Sequence, residues 1–547
     1  MSETPQGSSE QTSDTPAGSE RSLARSSAVM AAGTVVSRIL GMAKALMLAA
    51  VMGFAVTGDA FDVANTLPNQ FYLLLAGGVL NAVLVPQITK AAHHDDGGDE
   101  FVNRLLTLSI VLMAGATVAA TALAPFLVQI NATSRWTNQT LALSTAFAFI
   151  CLPQIFFYGL YTLLGQVLNA RGHFAAYMWA PALANIVSML GLGAFLFAGL
   201  PTEAGVSAWT PTMIWLVAGS ATLGVAAQAF ALVLPLRRIG FRFRPVWGFR
   251  GVGLRSASKV ALWTFAAVAV SQLGFVVTSR VLTGSTDKYS YSTAFLFFML
   301  PHSLVTVSLV TALFTRVSRS VHAGRVGEVV DDLARGMRMP AVLLVPATIG
   351  GLLLAEPVLR VLLYSNEPAQ VRGVAHVLMA MLLGLVPYGW LYLVQRVYYA
   401  YEDARTPFVL QLIVTVVATG FNIAILVTRP DEAGVFVGLG QTVSNLLAAL
   451  LGFVLLRRKL GALRLSSALR VYVRLTLASL LAAAAGWLVL RLGQGLTETG
   501  FAGRLVVVAV AGVVFASIAL GLAHALRVRE ASQLLDPVVR RLRRRPS

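Results

Sequence analysis

The first long apolar segment of the chain carries two cations that could bind a charged ligand. Arg38 lies near the middle of this segment and Lys44 follows six residues later, roughly 9 Å along a straight helix and about 120° around it. An arginine at this depth of a membrane costs roughly 2.5–3.5 kcal/mol on insertion scales, so it should face a wet cavity or a partner. We predict that Arg38, Lys44 and the adjacent Ser37 hold an anionic headgroup such as a phosphate or pyrophosphate.

Acidic and amide side chains mark the second apolar segment. Asp59 and Asp62 lie at its start, and we predict that they act in gating or in an ion pair. An alternative is that Arg38 pairs with one of these carboxylates and only holds the helices together. We favour a cavity role for Arg38 because ionisable residues in mid-membrane are functional by default. The predicted polar lining of the cavity is Asn65, Asn69 and Gln70 in the second segment and Gln272 in the seventh.

The apolar segments that carry these residues indicate a membrane protein. Of the 547 residues, 56% are apolar and 12% are charged, whereas a soluble domain is about 25% charged. The apolar runs match a hydrocarbon core about 30 Å thick and are too long for membrane β-strands. We predict an all-α polytopic membrane protein with about fourteen transmembrane helices. The predicted spans are 27–53, 61–89, 105–130, 140–168, 174–199, 211–236, 260–283, 290–315, 339–363, 373–399, 407–428, 433–456, 471–490 and 503–525.

The distribution of positive charge predicts the orientation of the chain. The formal net charge is +18, which in a soluble protein could indicate a nucleic-acid partner. With the N-terminus inside, 30 Lys and Arg residues fall in cytoplasmic segments, six fall in outer loops or at their edge and the other six lie within spans. This bias predicts that both termini are cytoplasmic. We therefore predict no nucleic-acid partner and interpret the basic loops as topology signals and contacts to anionic membrane lipids.

Sequence motifs of enzymes are missing. The chain has no phosphate-binding P-loop, no Cys/His metal spacing and no Gly-x-Ser-x-Gly motif. Its single cysteine, Cys151, cannot form an internal disulfide. The outer loops are also too short for the extramembrane lobe that membrane glycosyltransferases and acyltransferases usually need. We predict that the protein is not an enzyme and uses no cofactor or metal.

An internal repeat relates the two halves of the chain. Tyr-Gly at 158–159 recurs at 388–389, Leu-Pro at 67–68 recurs at 300–301, and Ala-Arg-x-x-Phe at 170–174 recurs at 404–408. The last match makes Arg171 and Arg405 a predicted cytoplasmic repeat motif. Chance similarity between apolar helices is the alternative. The offset of about 230 residues covers six spans, and an even number predicts two six-helix lobes in parallel orientation, followed by two C-terminal helices.

The repeat predicts how the chain is divided. The segments are a disordered cytoplasmic tail 1–24, an N-lobe 25–238, a basic cytoplasmic linker 239–259, a C-lobe 260–458, two further spans 459–526 and a basic cytoplasmic tail 527–547. Two lobes that rock around a central cavity are typical of transporters. Gly41, Pro68 and Pro301 lie inside spans and are predicted hinges, because proline removes a backbone hydrogen bond. The alternative is that membrane helices simply tolerate proline.

Several stretches resemble a known family. Val-Ser-Arg-Ile-Leu-Gly at 36–41, Asp-Ala-Phe at 59–61, Leu-Pro-Asn at 67–69 and Tyr-Glu-Asp-Ala-Arg-Thr-Pro at 401–407 resemble the MurJ/MviN lipid II flippases. That family belongs to the multidrug/oligosaccharidyl-lipid/polysaccharide exporter superfamily. The resemblance covers roughly residues 27–525. It implies movement of an undecaprenyl-pyrophosphate-linked peptidoglycan precursor from the inner to the outer leaflet of the bacterial plasma membrane.

The resemblance also implies roles for individual positions. Arg38 and Asp59 match family positions tied to function, and spans 13 and 14 would supply a groove for the lipid tail. Lys44 stands where the family usually has arginine, so the charge is kept but the bidentate fork is lost. Tyr72 and Leu296 stand where other members place cavity arginines.

The sequence thus predicts a lipid II flippase that works by alternating access, with two alternatives. One is an exporter of a different lipid-linked oligosaccharide, which the missing cavity arginines keep open. The other is a non-transporting scaffold for cell-wall assembly, against which the mid-membrane Arg38 argues. The predicted partners are a lipid-linked cell-wall precursor, anionic membrane lipids and cell-wall synthesis proteins.

Overall fold

The computed structural model describes residues 16–75, 99–248, 259–429 and 432–532, which form helices and turns without a β-strand among them. We number the helices by span. They are α1 Pro16–Met52, α2 Val56–Leu75, α3 Asp99–Ala122, α4 Asn138–Ala170, α5 Phe174–Phe197, α6 Pro211–Arg238, α7 Lys259–Gly284, α8 Lys288–His322, α9 Val326–Leu362, α10 Pro368–Leu382 with Leu385–Ala400, α11 Arg405–Thr428, α12 Ala433–Leu460, α13 Leu465–Leu492 and α14 Phe501–Ala525.

The predicted helical membrane fold is confirmed. Twelve helices of the described residues are long and apolar enough to cross a membrane, and the bent pair that forms α10 makes a thirteenth. The predicted second span, 61–89, is described only as far as Leu75 at the end of α2. Its remainder, part of the basic linker 239–259 and most of the tail 527–547 lie outside the described residues.

The N-terminal boundary differs from the prediction. Helix α1 begins at Pro16, inside the segment 1–24 that the sequence analysis treats as a disordered tail. Residues 20–25 include glutamate, arginine, leucine and alanine, which are good helix formers and extend α1 beyond the apolar run. Residues 1–15 lie outside the described part of the chain.

Several spans are interrupted at proline or glycine. Helix α4 breaks at Pro153, and the two parts of α10 meet at an angle of 45° around Gly384. In α8, a π-helical turn, His302–Val307, directly follows Pro301. Such turns release backbone hydrogen bonds, which supports Pro301 as a hinge. Pro68 lies within the continuous helix α2, so its hinge role stays a prediction.

The helices of the two halves pack in the same pattern. In the first half, α1 packs on α5, α2 on the first part of α4, α3 on the second part of α4, and α5 on α6. In the second half, α7 packs on α11, α8 on the first part of α10, α9 on the second part of α10, and α11 on α12. We call α1–α6 the N-lobe and α7–α12 the C-lobe. Helices α13 and α14 pack on each other and on α9.

The register of the repeat differs from the one predicted by the Ala-Arg-x-x-Phe match. Arg171 and Tyr401 follow the last residues of α4 and α10, and each is succeeded by a residue of positive φ, 77° at Gly172 and 57° at Glu402. In both lobes, the residue after the one with positive φ donates its backbone N–H in a hydrogen bond to the carbonyl five residues before it. Arg171 therefore corresponds to Tyr401. Arg405 is the first residue of α11 and is not its counterpart.

Candidate functional site

A buried ion pair joins the two lobes at one end of the molecule. Asp62 Oδ2 in the N-lobe accepts hydrogen bonds from Lys288 Nζ at 2.6 Å and from Ser292 Oγ at 2.7 Å in the C-lobe. Only 2% of the Lys288 side chain and 10% of the Asp62 side chain are exposed. In the low dielectric of such a site, a paired charge is strongly favoured over an unpaired one.

Asp59 adds a second contact to the same helix. It lies three residues before Asp62, on the same face of α2, and its Oδ1 accepts the backbone N–H of Tyr289 at 2.8 Å. Its Oδ2 is buried and has no hydrogen-bond partner among the described residues. Asp59, Asp62, Lys288, Tyr289 and Ser292 are called the interlobe lock below.

The C-lobe holds its side of the lock in place. Asp287, in the turn before α8, accepts the backbone N–H of Gly434 at the start of α12 at 2.9 Å. Burial raises the pKa of Asp287 above its usual value, although the Gly434 hydrogen bond acts in the opposite direction. This bond fixes the first residues of α8, and therefore Lys288, relative to the rest of the C-lobe.

Further contacts between the lobes lie at the same end. Asn366 Nδ2 donates to the Ala49 carbonyl at 2.8 Å and to Glu203 Oε1 at 2.9 Å, and Ser279 Oγ donates to the Asn131 carbonyl at 3.1 Å. Within the described ranges, all hydrogen bonds between the N-lobe and the C-lobe are at this end. The lobes are thus closed at the lock end.

Gly58 lies where the two lobes pack closely at the lock end, and a substitution there tests how tight this packing is. A Cβ atom there would lie 2.7 Å from the Gly53 carbonyl oxygen and 2.9 Å from Cδ1 of Tyr289 across the lobe boundary. We expect Gly58→Ala to cost about 1–3 kcal/mol by overpacking and to lower the thermal unfolding midpoint of the purified protein. Gly115→Ala is the matched control, because a Cβ at Gly115 meets nothing within 4 Å. Equal changes of the unfolding midpoint in the two variants would show that Gly58 and Tyr289 are not tightly packed against each other.

A cavity of about 610 Å³ lies next to the lock, between α2 and the C-lobe helices α7, α8, α10, α11 and α12. Asp62 lines it at the lock. Its amide side chains are Asn69, Gln70, Gln272, Gln395, Gln411, Gln441 and Asn445. Its aromatic side chains are Phe275, Tyr291, Phe295, Phe298, Tyr388 and Tyr392. This volume lies in the usual range of small-molecule sites.

The cavity is rich in amide side chains but is not cationic. Among the described residues that line it there is no lysine, arginine or histidine, and its carboxylate, Asp62, is paired with Lys288. Its described lining therefore lacks the two cations, Arg38 and Lys44, that are predicted to bind an anionic headgroup. The physical reason is that α2 and the C-lobe, rather than α1, supply the walls.

Three of the four residues predicted as the polar lining reach the cavity and one does not. Asn69, Gln70 and Gln272 line it, together with Asp62. Asn65 turns into the N-lobe instead. Its Oδ1 accepts hydrogen bonds from Gln154 Nε2 at 3.5 Å and from Cys151 Sγ at 3.8 Å. It holds α2 against α4.

The predicted cationic residues of α1 lie away from this lining. The Ser37 carbonyl accepts a hydrogen bond from Asn185 Nδ2 of α5 at 3.0 Å, and Gly41 faces the same asparagine. Lys44 is half-buried and Arg38 is exposed, and neither forms an ion pair with a described residue. Their role in binding pyrophosphate stays a prediction.

The alternative that Arg38 pairs with Asp59 or Asp62 is not what the structure shows. Both carboxylates bind the start of α8, and the cation that reaches them is Lys288. Lys288 falls in the outer loop between the predicted spans 260–283 and 290–315, and it is not predicted as a site residue. Its only signal in the sequence is its place next to an apolar run, because its partner lies 226 residues away.

The two positions that lack cavity arginines have other roles. The Tyr72 hydroxyl forms a hydrogen bond with Thr162 Oγ1 at 2.7 Å, and its ring packs on Tyr158, so it joins α2 to α4. Leu296 is partly buried on α8 and does not line the cavity. Arg171 at the end of α4 lies over the Phe241 ring at 4.9 Å, whereas Arg405 is exposed.

Comparison with known proteins decides the family. The model of the family described as "Lipid II flippase MurJ" matches residues 48–510 of this chain. The chain belongs to the MurJ lipid II flippase family. This confirms the resemblance noted in the sequence and the expectation of a transporter rather than an enzyme. The matched range begins after Arg38 and Lys44, so it carries no information about these two residues.

Curated relatives and solved structures agree with the family. The probable lipid II flippase MurJ of Vibrio cholerae is 27% identical over 414 residues, 70% of this chain and 74% of that protein. The probable MurJ of Rhizobium tropici is 25% identical over 90% of this chain and 93% of its own length. A MurJ structure in an inward closed conformation shares the fold, with a TM-score of 0.69 and 19% identity over 89% of this chain and 98% of its own. An inward-facing multidrug transporter of the MATE family follows with a TM-score of 0.65 and 16% identity over 79% and 96%.

Proposed function

We propose that this protein moves lipid II from the inner to the outer leaflet of the bacterial plasma membrane by alternating access. The observation that carries the proposal is an amide-lined cavity between two lobes whose hydrogen bonds to each other, among the described residues, all lie at one end, in a member of the MurJ family. Two lobes around a central cavity are the arrangement that alternating access requires.

The positive charges support a direction for this closure. The loops at the lock end carry few Lys and Arg residues, whereas 30 of them fall in the predicted cytoplasmic loops and the two terminal tails. Because basic loops stay in the cytoplasm, we assign the lock to the outer side and both termini to the cytoplasm. The cavity then opens toward the cytoplasm when the lock is closed.

The mechanism follows from this orientation. The headgroup enters the space between the lobes from the cytoplasmic side, the lobes rock, the lock opens and the headgroup leaves on the outer side. The lipid tail stays in the membrane, with the surface of α13 and α14 as its proposed groove. Each negative charge moved outward gains roughly 2.3 kcal/mol per 100 mV of inside-negative potential. The membrane potential is therefore the proposed driving force.

The pyrophosphate contacts and the membrane contacts are further parts of the proposal. Arg38 and Lys44, with Ser37, are assigned to the pyrophosphate because an arginine or lysine is the usual phosphate ligand. The basic segments 239–259 and 527–547 are assigned to anionic lipids of the inner leaflet. Cell-wall synthesis proteins are the proposed protein partners of the same cytoplasmic surface.

Depletion of the protein in its own host tests the function. We expect lipid II to accumulate on the inner leaflet, measured by a leaflet-resolved assay, with loss of growth as the cell wall thins. Re-expression of the full chain is the control and should restore the normal distribution. An unchanged distribution of lipid II with intact growth would contradict the proposal and direct attention to another lipid-linked oligosaccharide.

A further inference from the structure

The amides of the cavity retain unused hydrogen-bonding capacity. Gln272, Gln395 and Gln411 form no hydrogen bond with described residues, and Gln70 Nε2 is buried without a partner. By contrast, hydroxyl groups of the lining such as Thr66 Oγ1 donate to carbonyls of their own helices. An amide both donates and accepts, and a buried amide that finds no partner costs free energy. The glutamines are therefore the groups that a ligand in this cavity would satisfy.

Aromatic rings form a continuous row along the same cavity. The ring centroids of Tyr291 and Phe295 are 6.5 Å apart, those of Phe295 and Phe298 are 5.9 Å apart, and those of Phe298 and Tyr388 are 5.7 Å apart. The face of an aromatic ring is electron-rich and packs well against the weakly positive C–H groups of a sugar ring. Amides beside aromatic faces are thus suited to a ligand that carries hydroxyl, amide and C–H groups.

The electrostatics of the cavity disfavour an anion. The Lys288 ammonium is bound by Asp62 and Ser292, and Arg396, beside the cavity, donates to the Tyr392 hydroxyl at 2.9 Å and lies over its ring. A phosphate in a cavity whose described lining has no cation would lose its hydration without compensation. The same argument disfavours ionised groups of a peptide.

We propose that this cavity binds the uncharged saccharide part of the lipid-linked substrate, and that the pyrophosphate is held outside it. This inference rests on the proposed function in one respect, the lipid-linked nature of the substrate. The amide side chains of Gln70, Gln272, Gln395 and Gln411 bond sugar hydroxyl and acetamido groups. The aromatic row from Tyr291 to Tyr388 packs against the sugar faces. These residues then determine specificity for the glycan.

Binding by the full-length protein in lipid nanodiscs tests the inference. The probes are lipid II and undecaprenyl pyrophosphate, which has the same tail and pyrophosphate but no sugar. We expect the wild-type protein to bind lipid II at least about tenfold more tightly. We expect Gln272→Leu and Gln411→Leu each to weaken lipid II binding about tenfold, because each removes hydrogen bonds from a desolvated site. Binding of undecaprenyl pyrophosphate should be unchanged.

The control is a glutamine that lies outside the cavity. Gln494→Leu makes the same chemical change at an exposed position between α13 and α14 and should change neither affinity. Equal affinity of the wild-type protein for the two probes, or an equal loss of both in the glutamine variants, would overturn the inference.

A third probe separates this inference from the proposed function. It is undecaprenyl pyrophosphate that carries a neutral oligosaccharide unrelated to peptidoglycan. If the wild-type protein prefers this lipid to lipid II and the glutamine variants lose it, the saccharide site stands and the assignment of lipid II fails. If depletion traps lipid II inside while the variants bind it normally, the flippase function stands and the saccharide site fails.

Discussion

Replacement of Lys288 by methionine is expected to open the lock end of the protein. Removing one partner of a buried ion pair costs about 3–5 kcal/mol, because the other charge stays buried without compensation. In this structure the Asp62 carboxylate would lose its 2.6 Å contact with the ammonium and keep only Ser292. Because about 1.4 kcal/mol is a factor of ten in a population ratio, the closed state should lose roughly a hundredfold or more relative to the open state.

The measurement is the distance across the lock end in the purified protein. Spin labels are attached at Ser134→Cys in the N-lobe and Ser365→Cys in the C-lobe, which are exposed positions in loops at this end. Both substitutions are made in a Cys151→Ala variant, so that the native cysteine is not labelled. We expect Lys288→Met to move the distance distribution to longer values. An unchanged distribution in a folded protein would show that the ion pair does not hold the lobes together.

Two further variants separate the loss of the lock from a general effect of charge. Arg429→Met removes a cation from an exposed pair with Glu432 and should leave the distribution unchanged, since exposed pairs contribute little. Lys288→Met combined with Asp62→Asn removes both charges and leaves no buried anion. The double variant should therefore recover part of the closed population.

Replacement of Arg38 by alanine is expected to abolish transport without removing the protein from the membrane.

The repeat supports a role for Arg38 in headgroup binding. Gly41 in α1 faces Asn185 of α5, and Gly274 in α7 faces Thr415 of α11 in the same way. These glycines are 233 residues apart, as are the Leu-Pro pairs at 67–68 and 300–301. At this offset Arg38 corresponds to Ser271, which lines the cavity.

The experiment compares cells that carry only one variant of the gene. Hydrogen bonds to charged groups contribute about 1.5–3 kcal/mol, so Arg38→Ala should weaken headgroup binding at least about tenfold and trap lipid II on the inner leaflet. Arg38→Lys keeps the charge but not the bidentate geometry and should retain part of the transport. Arg491→Ala, which changes an exposed arginine in the last turn of α13, is the matched control. Normal growth of Arg38→Ala cells would show that Arg38 is not required.

Much of the architecture was predictable from the sequence. Runs of about 20 apolar residues predict membrane helices, because the cost of exposing a backbone to lipid leaves only the helix for runs of this length. The spans predicted at 174–199 and 433–456 correspond to α5 and α12 in the structure. The charge bias and the repeat offset are likewise properties that can be counted along the chain.

The site depended on information that the sequence does not carry. Whether a polar residue lines the cavity depends on what packs at its level of the helix, and so Asn65 bonds to α4 while Asn69, one turn further along the same side of α2, lines the cavity. The partner of Asp62 depends on how the two lobes meet, and Lys288 is 226 residues away. Arg38 and Lys44 are not among the described residues that line the cavity beside the lock, because α2 and helices of the C-lobe form its walls.

The sequence by itself therefore determined the class of the protein, the positions of its spans and its two-lobed repeat. These follow from the transfer of local apolar segments into lipid, which depends on composition over one helix at a time. Only the tertiary structure decided which charges pair across the lobes and which amides reach the cavity. Those choices depend on packing between helices hundreds of residues apart, and one turn along α2 separates a structural asparagine from a cavity asparagine.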